Sequence, residues 1–144
     1  MRVLIAVQEQ YYAEQQIEFV LNHHWEEPLS IMLLHVVEPI GMDYQHEPGK
    51  NLLTELHSLH VENGTKLVHS LAQKLGMKLA QANIQEKVLT GYAKEVILSE
   101  IEEWKADVAV VGSHGRRDMI RKLIGSVSSA VLAYAPCSVM VVRP

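Results

Sequence analysis

Short apolar runs and segments of helical period alternate along this chain from end to end. That alternation narrows the fold more than any other feature of the sequence. Arg2 to Val7 (RVLIAV) is almost wholly apolar and rich in β-branched residues, the pattern of a strand buried on both faces. Ala13, Ile17, Val20 and Leu21 then recur at i, i+4, i+7 and i+8, as on one face of a helix. Leu29 to Val37 (LSIMLLHVV) reads as a second strand, and Glu38 to Lys50, with two prolines and two glycines, as an irregular loop. Leu52, Leu56, Leu59, Leu67, Leu71 and Leu75 mark a long helix. Gly76 is expected to cap its C-terminus and Gly64 to mark a bend. A weaker strand at Ile84 to Leu89 follows, then a helix with Ala93, Val96, Ile97, Ile101 and Trp104 inward. Asp107 to Gly112 is a fourth strand, Gly125 opens a last helix that Pro136 ends, and Ser138 to Arg143 is a fifth strand.

This β-α-β-α-β-α-β-α-β order predicts right-handed crossovers and an open parallel sheet with helices on both faces. Ligands on such sheets sit beyond the C-terminal strand ends, where the strand order reverses. The 144 residues suit one domain, 1–144. Hydrophobic residues at 48% and charged residues at 21% exclude a disordered tail, a collagen and a disulfide scaffold. A net charge of −4 argues against a nucleic-acid partner, which requires a basic surface. The single Cys137 cannot form an internal bridge and is compatible with a reducing compartment. No apolar run reaches the ~20 residues of a bilayer span, and the N-terminal stretch reads as a strand rather than a leader. A soluble cytoplasmic protein is the expectation.

Directly after the fourth strand the sequence reads VVGSHGRRDMIRKLIGSVSSAVL. Gly112 and Gly115 flank Ser113 and His114, and Gly125, Ser126 and Ser128 open the next helix. Phosphate binding requires unobstructed backbone N–H groups, which glycine provides, and a helix N-terminus whose partial positive charge faces the anion. Arg116, Arg117, Arg121 and Lys122 make the stretch locally basic. Spacing alone also allows plain turn glycines with Ser126 as a helix cap. Neither a G-x-x-x-x-G-K-[ST] loop nor a G-x-G-x-x-G turn between strand and helix is present, which excludes P-loop NTPases and ordinary dinucleotide dehydrogenases.

Gly112-x2-Gly115-x9-Gly125-Ser126 resembles the G-x2-G-x9-G-[ST] signature of the nucleotide-binding universal stress proteins. RVLIAV, LLHVVEP, the GSHG turn, IGSVSSAVL and the closing APCSVMVVRP fall where that family places them, so the resemblance covers the whole chain. It implies a five-stranded parallel sheet of order 3-2-1-4-5, of the adenine nucleotide alpha hydrolase-like type, with the switch point between strands one and four. It also implies a site for ATP, AMP or ADP. Gly112, His114, Gly115, Gly125, Ser126, Val127 and Ser128 would hold ribose and phosphates, and Ala6, Val7 and Val36 the base. Gln8 stands where the family's branch usually carries Asp. It can hydrogen-bond a ribose hydroxyl or the base but offers magnesium no charge, which puts metal-assisted binding in doubt. The family also commonly dimerises through the last strand, here an apolar edge that invites pairing with a second copy.

Elsewhere the residues give little chemistry. His57 and His60 lie three apart on the long helix without a carboxylate or Cys to complete a metal set, and His23 and His24 diverge by about 100° around a helix. His35 in its apolar strand reads as a core or interface histidine, and Cys137 as a buried, unreactive thiol. His114 is either a ligand contact or a turn residue. No catalytic or metal-ligating set can be assembled. The expectation is an ATP-binding regulatory or sensing module in the stress response, at most a slow ATPase. The alternatives are a slow nucleotide hydrolase on the same fold and a structural stress dimer that binds no nucleotide.

Overall fold

A computed structural model describes residues 1–40, 50–113 and 124–143. The elements run β1 (Arg2–Val7), α1 (Gln10–Asn22), β2 (Ser30–Val37), α2 (Lys50–Lys78), β3 (Asn83–Thr90), α3 (Ala93–Trp104), β4 (Val108–Gly112), α4 (Ser126–Tyr134) and β5 (Ser138–Val142). The five strands form one parallel sheet in the order β3-β2-β1-β4-β5. This is the expected fold.

The period-two alternation of the strands divides the interior into two layers. Val3, Ile5 and Val7 of β1 face the layer closed by α1 and α2, together with Ile31, Leu33, Val108 and Val110. Leu4, Met32, Leu34, Ala109 and Val111 face the layer closed by α3 and α4, against Ile97, Ile101 and Val131. The order reverses at β1: β2 and β3 lie on one side of it, β4 and β5 on the other. Chain leaving β1 therefore diverges from chain leaving β4, and a crevice opens above the two strand ends.

Helix α2 departs from the sequence reading in two ways, at Gly76 and along its leucine stripe. It extends through Gly76 to Lys78, so Gly76 is an interior residue and not the cap. Gly64 lies inside the continuous helix, where a Cβ would stand 2.4 Å from Cδ2 of His35, so the glycine admits the imidazole. Leu71 and Leu75 are buried, whereas Leu52, Leu56 and Leu59 are exposed, because the helix outruns the sheet it covers. Its 29 residues span roughly 43 Å, against about 27 Å for an eight-residue strand. Residues 41–49 of the expected loop lie outside the described residues.

Candidate functional site

A cleft of about 1000 Å³ opens at the C-terminal ends of β1, β2 and β4. Two of the residues expected there, His114 and Gly115, lie outside the described residues, as do Arg116, Arg117, Arg121 and Lys122. Every other expected residue lines this one cleft. Ala6, Val7 and Gln8 stand at the end of β1, Val36 near the end of β2, and Gly112 at the end of β4. Gly125, Ser126, Val127 and Ser128 come from the start of α4.

The strand register sets the height of the cleft wall on the β2 side. Val7, the last residue of β1, pairs with His35, so β2 runs two residues further, to Val37. Val7 and Val36 are buried with their side chains in opposite core layers, so the wall they form is firmly packed from behind. His35 is buried too, and its Nδ1 donates to the Val7 carbonyl at 3.0 Å. It is a core histidine that also reaches the cleft wall, which agrees with its reading from the sequence.

The start of α4 is tied to the end of β4 by two bonds, and the end of β4 to β5 by a third. Gly125 N–H donates to the Ser113 carbonyl at 2.9 Å, and Ser113 N–H to the Val142 carbonyl at 2.9 Å. The Ser128 hydroxyl donates to the Gly112 carbonyl. Gly125 is the N-cap, with φ −61° and ψ 159°, so Ser126 is the first helical residue rather than the cap. That φ is open to any residue, and what glycine contributes at 125 is the absence of a side chain. The first N–H groups of a helix have no acceptor within it, and those of α4 are directed toward the cleft end of the sheet. Ser126 is exposed there, whereas the Ser128 hydroxyl is already engaged by backbone.

Sequence reasoning missed part of the wall. Tyr12 and Gln16 of α1 and His60, Asn63 and Lys66 of α2 also line the cleft. Gln16 carried a legible signal, a polar residue beside Ala13, Ile17 and Val20 on the apolar stripe of α1. The α2 residues carried none, because nothing in the sequence says which polar positions of a long helix will overhang a cleft. His57 faces elsewhere: its Nε2 is 3.2 Å from Thr90 Oγ1. Among the described residues no three His, Cys, Asp or Glu side chains are grouped to hold a metal ion. Cys137 is half-buried rather than buried, and its partial burial pushes the thiol above its ordinary pKa. Among the described residues no helix is long and apolar enough to cross a membrane.

The model of the universal stress protein family matches residues 1–143. The chain belongs to this family. Universal stress protein A homolog 2 of Coxiella burnetii is 33% identical over 114 residues, covering 79% of this chain and 74% of that protein. Among solved structures, the universal stress protein UspA from Lactobacillus plantarum superposes with a TM-score of 0.85 at 23% identity, over 99% of this chain and 97% of that one. A universal stress protein family member from Arabidopsis thaliana, solved with AMP bound, superposes with a TM-score of 0.70 at 21% identity, over 99% and 91%. At these identities the two structures speak for the fold alone, and the family's five-stranded sheet is the one found here.

Proposed function

We propose that this universal stress protein binds an adenine nucleotide in the cleft above β1 and β4 and acts as a regulatory or sensing module. The observation that carries this reading is convergence: every described residue that the G-x2-G-x9-G-[ST] signature and the β1 and β2 ends assign to nucleotide lines one cleft. The cleft has the size of a small-molecule site. It also has the needed polarity gradient, from packed apolar strand ends at Val7 and Val36 to the helix N-terminus at Gly125 and Ser126. The AMP held by the Arabidopsis relative supports the same ligand class. ATP is the nucleotide we favour, and β5 is the edge through which we propose a homodimer.

Two measurements test the reading. Nucleotide released from the purified, denatured protein, or a calorimetric titration with ATP and AMP, is expected to show binding. Gly125→Val is expected to abolish it while leaving the thermal transition in place, since a β-branched side chain would fill the approach to the α4 N-terminus. Unchanged affinity in that variant would sink the site assignment, and turnover near the ~10 s⁻¹ of ordinary enzymes would overturn the module. Position 8 tests the metal. Wild-type ATP affinity is expected to be similar with magnesium and with EDTA. Gln8→Asp is expected to tighten binding only when magnesium is present.

A further inference from the structure

Gln16 lies in the second turn of α1, at 2% exposure, on the apolar stripe that faces the sheet. Its Nε2 is 3.0 Å from the Ala6 carbonyl and 3.4 Å from the Val110 carbonyl. It thus bridges β1 and β4 at the point where the strand order reverses. Both partners are backbone acceptors, so the atom facing them must be the NH2 group, and the orientation of the amide is set by chemistry. The carbonyl oxygen, Oε1, is turned away from them and receives no hydrogen bond from any described residue. Gln16 forms part of the cleft wall, and Oε1 is not among the sealed-off polar atoms. An amide whose donor side is anchored and whose acceptor side meets a binding cleft is built to receive a donor.

We propose that Gln16 is a ligand-contacting residue whose Oε1 accepts a hydrogen bond from a ribose hydroxyl of the bound nucleotide. This rests on the reading that the cleft takes an adenine nucleotide. Phosphate oxygens are acceptors and cannot satisfy Oε1, so the contact selects for the nucleoside part of the ligand. An adenine nucleotide offers two kinds of donor there, the sugar hydroxyls and the exocyclic amine. Position favours the sugar. Base-side residues lie on β1 and β2, and the phosphate-side residues Gly112 and Gly125 lie at the end of β4 and the start of α4, so the ribose that joins base to phosphate must cross above the β1–β4 seam that Gln16 holds. The anchoring bonds fix the amide before the ligand arrives, which lowers the ordering cost of binding.

The test compares AMP with 2′-deoxy-AMP, 3′-deoxy-AMP and IMP by calorimetry, on the wild type, Gln16→Met and Gln8→Ala. Removing the recognised hydroxyl is expected to cost the wild type about tenfold in affinity. That penalty is expected to shrink to within about twofold in Gln16→Met and to persist in Gln8→Ala. A penalty that survives in Gln16→Met, or that vanishes in Gln8→Ala instead, overturns the proposal. So does an IMP penalty that Gln16→Met abolishes, since Gln16 would then read the amine. Should Gln16→Met fail to fold, the wild-type side-chain NH2 resonances of Gln16 decide by NMR. They are expected to shift with AMP and to stay in place with the deoxy analogue that binds weakly; identical shifts with both refute the contact. Failure of AMP and ATP to bind at all overturns the nucleotide reading itself, whereas indifference to the hydroxyls overturns only the role of Gln16.

Discussion

Gly64 and His35 are a size-matched pair across the α2–sheet contact. Glycine inside a helix costs about 1 kcal/mol relative to alanine, and here it is kept because the imidazole ring lies where a Cβ would stand, 2.4 Å from Cδ2 and 2.8 Å from Nε2. The ring cannot swing aside without losing its bond to the Val7 carbonyl. Gly64→Ala should therefore destabilise the wild type by about 1–3 kcal/mol, as overpacking does. In a His35→Ala background the same change should stabilise, by up to about 1 kcal/mol. Denaturant unfolding of the four proteins checks this; an equal loss in both backgrounds would mean the ring is not the obstacle. Cys137 gives a second residue-scale expectation. Partial burial favours the neutral thiol in the folded state, so the folded chain holds its proton to higher pH than the unfolded chain does. Alkylation of the native protein should be slow near neutral pH and speed up only at alkaline pH. The thiol's contribution to stability should be intact below the unfolded pKa and fade as pH rises through the folded one. Native alkylation as fast as that of the unfolded chain at pH 8 would contradict this.

At the scale of elements, α4 separates a serine proposed to bind nucleotide from a structural one. The Ser128 hydroxyl closes the β4–α4 junction on the Gly112 carbonyl, while Ser126, one residue past the Gly125 N-cap, is exposed beside the cleft. Ser128→Ala should lower unfolding stability by about 1–2 kcal/mol, the cost of a lost buried hydrogen bond. Ser126→Ala should change stability by less than about 0.5 kcal/mol and weaken nucleotide binding instead. Thermal or denaturant melts paired with calorimetric titration read both effects. The reverse pattern, with Ser126 carrying stability and Ser128 affinity, would reassign the two hydroxyls.

For the whole molecule the two sheet edges differ in a way that bears on assembly. Edge strand β3 carries Gln85, Glu86 and Lys87 at its centre, and its charges are engaged: Glu86 with His69 of α2, Lys87 with Glu100 of α3 at 2.7 Å. A charged edge resists pairing with another chain. Edge strand β5 reads SVMVV, pairs with β4, and leaves Val139, Met140, Val141 and Val142 partly exposed. The proposed homodimer, joined at β5 about a two-fold axis, would cover that edge. Light scattering at micromolar concentration is expected to give twice the mass of the chain, and Val141→Lys to give monomers. A monomeric wild type would refute the assembly.

Periodicity is local, and the sequence by itself determined whatever periodicity controls: the order of the nine elements among the described residues, two-faced burial of the central strands, and the end of β4 as the place to look. The G-x2-G-x9-G-[ST] spacing placed Gly112, Gly125 and Ser126 on one cleft wall, because they flank one strand end and one helix start. Tertiary structure decided the rest. Which half of the α2 leucine stripe is buried depends on how far the sheet reaches beneath it, a length no single helix encodes. Gly64 is intelligible only opposite His35, 29 residues earlier in the chain. Gln16 acquires its place because β1 and β4, a hundred residues apart in sequence, part at the switch point and leave two carbonyls that one amide can span.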